Sequence, residues 1–290
     1  MEETRKTAPG AAYAAILGAA SLWGVVGLWN RHLMEAGVSA TNIVALRNLG
    51  GMALLCLIFA VRDRGVFRVK PAHLKYFFGT GVVSVVMFTV CYFSCQQVCS
   101  LAVASILLYT APAIVVVLSA VLWKEPITKK KLLALALTLV GCACVCGVFS
   151  GTLSVTGMGV LLGLGAGFFY ALYSVFGRYA LAHYSAMTVT VWTFLFAGPA
   201  SLVLLRPAEL TAMGPTHWLA LAGLVVFSTV FSYLLYTWGL ARVEAGRASI
   251  MASLEPVVAA LVGAAVFGEP ITALTAAGIV CVLAGVTILR

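Results

Sequence analysis

The chain has 290 residues, of which 62% are hydrophobic and only 9% charged, and its formal net charge is +9. A soluble protein of this length needs far more polar surface, so the composition excludes the soluble classes and predicts an all-α polytopic membrane protein. The positive charge does not by itself indicate a nucleic-acid partner, because excess Lys and Arg in a membrane protein usually reports loop topology.

Ten apolar segments follow one another along the chain, each of a length suited to crossing a bilayer. A transmembrane helix needs about 20 apolar residues, with a range of about 17–25. Residues 1–10 form a short polar tail without a signal-peptide cleavage site, so we expect the first segment to be a permanent helix. The predicted helices lie near residues 11–30, 40–61, 74–97, 100–123, 131–149, 156–177, 186–205, 217–240, 247–267 and 271–289.

Basic residues are concentrated in alternate loops. Because each helix crosses the membrane once, ten helices put the N-terminal tail, every second loop (four in all) and the C-terminus on the same side. This side receives all of the 18 Lys and Arg residues except Arg31, Arg47 and Arg206. By the positive-inside rule both termini are therefore predicted to be cytoplasmic, in a multi-pass protein of the cell (inner) membrane.

One apolar stretch occurs twice, at residues 104–128 and again 144 positions later at 248–272. Both copies begin Ala-Ser-Ile, carry a proline at the same place (Pro112 and Pro256) and end Glu-Pro-Ile-Thr. Further matches divide the chain into residues 11–149 and 150–290, with five predicted helices each. Because five is odd, the second half enters the membrane from the opposite side. The sequence thus predicts ten transmembrane helices in two inverted five-helix repeats, the usual architecture of secondary transporters.

Two motifs at matched spacing carry a family resemblance. They read Ala-Ser-Ile…Pro112…Lys124-Glu125-Pro126 in the first half and Ala-Ser-Ile…Glu255-Pro256…Gly268-Glu269-Pro270 in the second. With Ser21-Leu22-Trp23-Gly24 near the start, they resemble the two EamA domains of the drug/metabolite transporter superfamily. The resemblance covers residues 11–289 and implies a ten-helix exporter, often of amino acids or other small metabolites, with helices 5 and 10 peripheral to a central cavity. Small multidrug transporters of this superfamily carry an essential glutamate in their first helix, which has no counterpart here.

Only two charged side chains, Arg47 and Glu255, fall well inside the predicted membrane segments rather than at their ends. A charge at the centre of a transmembrane helix costs about 2.5–3.5 kcal/mol on insertion scales, so it normally faces a cavity or a partner. We expect both residues to flank one central cavity, where they contact substrate or each other. The alternative is a buried Arg–Glu pair that only fixes helix packing.

Pro112 and Pro256 predict matching kinks in helices 4 and 9. Proline lacks an N–H and clashes with the carbonyl four residues earlier, which here lies near Leu108 and Ala252. Paired helix interruptions in the two halves of a transporter point to its binding site. Each proline taken alone is equally compatible with a simple bend.

Five aromatic residues are candidate lining of the substrate pocket. Amphipathic rings suit a pocket for a zwitterion or an aromatic substrate, although single aromatics in membrane helices more often serve packing or interface anchoring. The first four form two pairs that correspond across the halves, Trp23 with Tyr170 and Tyr92 with Tyr236; the fifth, Tyr109, lies near the middle of helix 4.

No residue pattern indicates a metal, a cofactor or catalysis. Cys142, Cys144 and Cys146 spread around a helix, and the set from Cys91 to Cys99 spans about 12 Å of rise, so both sets are interpreted as packing residues. No nucleophile elbow, metalloprotease motif or nucleotide loop occurs in the sequence. The partners we expect are a small-molecule substrate and membrane lipid, with no nucleic acid; a homodimer is left open.

These features predict a secondary transporter that works by alternating access, and export of amino acids or similar metabolites follows from the family resemblance alone. One alternative is efflux of lipophilic or aromatic cations, with Glu255 as the counter-charge. Another, from a different class, is an integral-membrane enzyme or lipid-handling protein, which would need polar catalytic clusters at the membrane face.

Overall fold

The computed structural model describes residues 9–149 and 154–289, and the regular elements within these ranges are all helices. The predicted N-terminal tail, apart from its last two residues, and the predicted boundary at residue 150 lie outside the described ranges. The long helices are α1 (Gly10–Glu35), α2 (Ala40–Arg62), α3 (Pro71–Val98), α4 (Leu101–Trp123), α5 (Lys129–Val145), α6 (Gly157–Leu181), α7 (Ala186–Leu204), α8 (Pro215–Leu240), α9 (Ala245–Phe267) and α10 (Ala273–Ile288).

Among the described residues, eight helices are long and apolar enough to cross a membrane. The other two, α5 and α10, are shorter, with 17 and 16 residues. The all-helical membrane protein predicted from hydropathy is thereby confirmed, and the helix bounds follow the predicted ones to within a few residues. That all ten helices cross the membrane as two inverted repeats stays a prediction.

Several helices begin at a Ser or Thr that caps the helix. The side-chain oxygen accepts a hydrogen bond from the backbone N–H three residues later, which satisfies one of the donors left open at a helix start. In α4, for example, the hydroxyl of Ser100 accepts from the N–H of Val103. The same arrangement occurs at Ser39, Thr128, Thr156, Ser185 and Thr272. These local signals explain why the polar residues between apolar segments also define the helix starts.

Four helices carry irregular stretches at corresponding places. The α-helical pattern of α4 is interrupted at Tyr109–Thr110 and that of α9 at Ser253–Leu254, which again lie 144 residues apart. α3 contains a π-helical stretch, Gly79–Val86, and α8 contains another, Val226–Phe231. Irregular backbone inside a membrane helix normally lies where protein or a cavity surrounds it, so these stretches indicate where a site could form.

The helices pack in corresponding pairs. α3 and α4 contact α6, and α8 and α9 contact α1 in the same way. α2 packs on α7 and α5 packs on α10, each pair joining a helix of one half to its counterpart in the other.

The α5–α10 contact is close because glycine lies on both sides of it. A Cβ atom on Gly141 would come within 2.7 Å of the carbonyl oxygen of Gly278, and one on Gly278 within 2.7 Å of that of Gly141. Small residues let membrane helices approach in this way, where packing rather than water exclusion drives association.

The two ends of the bundle differ in charge. One end, called the basic face below, carries the residues between α2 and α3, α4 and α5, α6 and α7, and α8 and α9. Contacts across it include Arg178 with the carbonyl of Val243, at 3.1 Å, and the hydroxyl of Tyr184 with the N–H of Lys70, at 2.9 Å. The other end, the opposite face, carries Arg31 and Arg206, and there Glu209 binds Ser39.

Candidate functional site

A small cavity lies between α1, α3, α6 and α8, and thus between helices of both halves. Small-molecule sites are mostly apolar with a few polar groups, and this lining has that character. The residues that line it are Trp23 from α1, Ser84 and Phe88 from α3, Tyr170, Tyr173 and Ser174 from α6, and Tyr233 and Tyr236 from α8.

The aromatic rings of the wall hold one another in place. The ring of Trp23 meets Tyr233 edge-on with centroids 5.4 Å apart and Tyr236 at a tilt with centroids 5.2 Å apart. Tyr173 meets Tyr233 edge-on at 5.2 Å. Such edge contacts are favoured by the ring quadrupoles and are worth about 0.5–1.5 kcal/mol each beyond area burial. The wall is therefore rigid and presents both ring faces and polar tips.

Hydrogen bonds fix two of the tyrosine hydroxyls. Tyr236 shares a hydrogen bond of 2.8 Å with the hydroxyl of Ser174, and Tyr173 shares one of 2.7 Å with Thr237. Both bonds join α6 to α8. Because these hydroxyls are already paired, the orientation of the two rings is set before any molecule enters the cavity.

Glu255 lies directly after the interruption of α9, in the first turn of the segment Glu255–Phe267. The positive end of the helix dipole favours negative charge at this position. α1 approaches its backbone closely, since a Cβ on Gly24 would lie 2.8 Å from the carbonyl oxygen of Glu255. Among the described residues the carboxylate has neither an ion pair nor a hydrogen bond, and its charge is within electrostatic range of Arg47, Tyr109 and Tyr170.

Arg47 projects from α2, and its Nε atom is buried without a hydrogen-bond partner among the described residues. Its charge acts on Tyr170 and Tyr233 of the cavity wall as well as on Glu255. No ion pair within 4 Å joins Arg47 to Glu255, both of which are described. Neither charged group lines the cavity, and no direct contact neutralises one group with the other.

Three of the five aromatic candidates line the cavity, namely Trp23, Tyr170 and Tyr236. The other two do not line it. The ring of Tyr92 contacts that of Phe88 at 6.3 Å, and its hydroxyl is 3.2 Å from that of Ser105. Tyr109 is the residue at which the first segment of α4 ends.

Each of the two prolines occupies the second position of the helical segment that follows an interruption. Pro112 follows Ala111 in α4, and Pro256 follows Glu255 in α9. Proline is tolerated in the first turn of a helix because no intrahelical partner exists there for the missing N–H. The local chemistry of both prolines thus agrees with the broken helices around them.

Five cavity residues were missed by the sequence reasoning: Ser84, Phe88, Tyr173, Ser174 and Tyr233. The signal for three of them was present. Tyr173 and Ser174 follow Tyr170 by three and four positions, and Tyr233 precedes Tyr236 by three, which puts each on the same helix face as a residue already chosen. Among the described residues, no three His, Cys, Asp or Glu side chains come together as metal ligands.

Comparison with known families matches the chain twice to one model, the EamA-like transporter family, over residues 10–147 and 157–290. The chain belongs to the EamA-like transporter family. The resemblance stated from the paired motifs is thereby confirmed, and the EamA protein is a membrane transporter.

Relatives of this EamA protein carry transporter names. It is 33% identical over 275 residues to an uncharacterized transporter of Archaeoglobus fulgidus, a match that covers 95% of this chain and 94% of the relative. It is 26% identical over 196 residues to a probable amino-acid metabolite efflux pump of Salmonella typhimurium, covering 64% of this chain and 66% of the relative. These names are those of transporters and not of enzymes.

One solved crystal structure superposes on the EamA protein with a TM-score of 0.81. The sequence identity is 18%, and the match covers 96% of both chains. At this identity the likeness supports the fold alone.

Proposed function

We propose that this EamA protein is a secondary transporter that exports amino acids or similar small metabolites by alternating access, with the cavity as its substrate site. The observation that carries the proposal is the aromatic cavity shared by both halves, with the unpaired Glu255 and Arg47 beside it. A carboxylate and a guanidinium kept apart offer one counter-charge for each end of a zwitterion. The name of the Salmonella relative agrees with this substrate class.

Alternating access would occur between two inverted five-helix halves of a ten-helix protein. The corresponding helix pairs, the matching interruptions of α4 and α9 and the matching π-helical stretches support this arrangement. The basic face would be cytoplasmic, with both termini on that side of the inner membrane. The partners would be the substrate and membrane lipid, with no nucleic acid, and the protein could act as a monomer or a homodimer.

A second candidate substrate class is lipophilic or aromatic cations. The observation in its favour is the ring faces of the cavity wall, because aromatic faces attract cations. In this case Glu255 would serve as the only counter-charge and Arg47 would be dispensable.

Counterflow in proteoliposomes tests both candidates. Purified protein is reconstituted with an unlabelled solute inside, and uptake of labelled amino acids or cations is measured with and without a pH gradient. Solute-dependent uptake of an amino acid supports the first candidate, and uptake of cations alone supports the second. Reconstituted protein that moves neither class would contradict the proposal.

Variants separate the roles of the two charges. For a zwitterionic substrate, Glu255→Gln and Arg47→Ala should each abolish most uptake, whereas for a cation only Glu255→Gln should. Glu35→Gln removes an exposed acid at the opposite face and is the matched control. Wild-type uptake in both cavity variants would leave the pair with a packing role only.

The cavity wall is tested by Tyr170→Ala, with Phe168→Ala as its matched control on the same helix. Phe168 is exposed on the outside of the bundle, whereas Tyr170 lines the cavity. Loss of one large buried contact of about 1.5–3 kcal/mol should reduce uptake by about tenfold or more. The control should transport at the wild-type rate, and equal losses in both variants would count against the cavity.

A further inference from the structure

The basic face is closed by a buried ion pair that follows α4. Glu125 of the first Glu-Pro-Ile-Thr motif lies 3.2 Å from Arg178 at the end of α6. The same carboxylate oxygen accepts a hydrogen bond of 3.2 Å from the backbone N–H of Ala245, where α9 begins. One side chain thus joins the loop after α4 to the end of α6 and the start of α9.

A second layer of charges surrounds this pair. Lys131 lies 3.0 Å from Glu244 and 3.9 Å from Glu125, and it also donates to the carbonyl oxygen of Pro126. Arg247 lies 3.1 Å from Glu244 and donates to the hydroxyl of Tyr13 in α1. The network therefore ties together α1, α5, α6 and the start of α9.

The opposite face repeats the central pair without the network. Glu269, 144 positions after Glu125, lies 3.1 Å from Arg31, which corresponds to Arg178 at an offset of 147. This pair is open to solvent, since the side chain of Glu269 is 58% exposed and that of Glu125 is 6% exposed. Lys131, Glu244 and Arg247 have Thr275, Ser100 and Val103 at the corresponding positions of the other half, so no second layer of charges exists there.

The helices differ between the two faces in the same sense. At the basic face, Ala111–Trp123 of α4 packs against Ala245–Ala252 of α9. Toward the opposite face, the remaining segments Leu101–Leu108 and Glu255–Phe267, both described in full, pack on α6 and α1 instead of closing on each other. The tight ion pair accompanies the closed end, and the exposed ion pair accompanies the open end.

We propose that Glu125–Arg178 and Glu269–Arg31 are the two access gates of the transport cycle, and that the charges around the first make closure of the basic face the resting state. This inference rests on the proposed alternating-access function and specifies how access to the same cavity is controlled. When the opposite face closes, Glu269 becomes buried against Arg31. Its carboxylate then accepts a hydrogen bond from the backbone N–H of Leu101, the residue that corresponds to Ala245. The basic-face gate opens in the same step.

Hydrogen–deuterium exchange of the whole protein in lipid nanodiscs tests the gates without any substrate. The two segments to follow are residues 241–250 at the basic face and 99–106 at the opposite face. Glu125→Gln should speed exchange in the first segment by about tenfold, the equivalent of about 1.4 kcal/mol, and slow it in the second segment. Glu269→Gln, the matched control, should leave the first segment within about twofold of the wild-type rate.

A reciprocal change at the two faces supports the gates. Faster exchange at the basic face alone would mean that Glu125 only holds a loop. Equal effects of the two variants would mean that closure of the basic face is not favoured over closure of the opposite face. Either result overturns the proposal. Arg178→Gln provides a second variant if Glu125→Gln does not fold, because it breaks the same pair while Lys131 still neutralises Glu125.

The outcome is separable from that of the counterflow assay. If exchange changes reciprocally in a protein that transports none of the tested solutes, the proposed gates are supported and the proposed substrate class is rejected. If counterflow is normal and exchange does not change reciprocally, the proposed transport function is supported and the proposed gates are rejected.

Discussion

Glu125 and Glu269 occupy the same position in two copies of one motif and lie at similar distances from an arginine, yet their surroundings differ in burial and in the number of neighbouring charges. The first is buried beside two cations and a backbone N–H. The second meets a single arginine in the open. The comparison teaches that a duplicated motif supplies the chemistry of a contact, whereas neighbouring residues that were not duplicated set its energy.

The difference in energy follows from solvent. An exposed pair of this kind is worth about 0–1 kcal/mol, because water and salt screen the attraction and two long side chains must be ordered. Removing one partner of a buried pair costs about 3–5 kcal/mol, because the remaining charge is left without compensation. The first and last of the four predictions below use this contrast directly, and all four run from the largest expected effect to the smallest.

Glu125→Ala should lower the free energy of unfolding by about 3–5 kcal/mol. It leaves Lys131, whose side chain is 2% exposed, and Arg178 with one fewer acid between them. Thermal unfolding in detergent, followed by circular dichroism, measures the effect. Lys131→Met in the Glu125→Ala background should recover part of the loss, since it removes a buried charge that has lost one of its two acidic neighbours. A midpoint within one degree of wild type for the single variant would show that the network contributes nothing.

Lys124→Gly should raise the free energy of unfolding by about 1 kcal/mol, and Gly268→Ala should lower it by a similar amount. Both residues end a helix in the left-handed region, Lys124 with φ 55° and Gly268 with φ 68°. Only glycine adopts this conformation without strain. The same unfolding measurement applies, and opposite signs for the two variants are required. A gain in stability from Gly268→Ala would contradict the interpretation.

Glu209 at the opposite face should make stability depend on pH. The N–H of Ser39, above all, lowers the pKa of Glu209 below its ordinary value, with help from the Ser39 hydroxyl, Asn42 and Arg206 and against some desolvation. A carboxylate whose pKa is lowered by folding stabilises the folded state. Its full contribution is present at pH values above its pKa in the unfolded chain, about 4.3, and is lost as the pH falls through its pKa in the folded protein.

The unfolding midpoints of wild type and Glu209→Gln should therefore differ at pH 7 and converge as the pH falls below about 4. Glu35→Gln, an exposed acid at the same face, controls for the general effect of losing a carboxylate. A difference between wild type and Glu209→Gln that stays constant with pH would contradict the role of these hydrogen bonds.

Glu269→Ala should change the free energy of unfolding by no more than about 0.5 kcal/mol, the smallest effect in the series. Any effect should disappear when the salt concentration is raised from about 0.01 M to 1 M, because the Debye length falls from about 30 Å to 3 Å. Unfolding midpoints at both salt concentrations measure it. A loss as large as that of Glu125→Ala would remove the contrast between the two faces.

Much of the fold could be predicted because hydropathy and capping are local properties. The ten segments coincide with ten helices, and Thr128 and Thr272 begin α5 and α10 at corresponding places. Arg47 and Glu255 were found for a similar reason: a charge in an apolar segment stands out without knowledge of its neighbours.

The rest of the site depends on the rotation and crossing of helices, which no local pattern specifies. Tyr92 and Tyr236 correspond in sequence, yet only Tyr236 lines the cavity. Lys131 and Glu244 are 113 positions apart and both lie beside loops, so no local pattern indicates a contact between them. Their ion pair of 3.0 Å exists because α5 and the start of α9 meet at the basic face.

The π-helical stretch Val226–Phe231 of α8 has a consequence for the cavity wall. Each residue of an α-helix turns the chain by about 100°. A π-helical turn is wider and contains one residue more than an α-helical turn of the same height. The side chains that follow it, Tyr233 and Tyr236, are therefore turned away from the directions that an unbroken helix would give them. If the same residues formed a regular α-helix instead, this wall would be redirected by about 100° while its composition stayed unchanged. The shape of the cavity thus depends on the phase of a helix as much as on the identity of its rings.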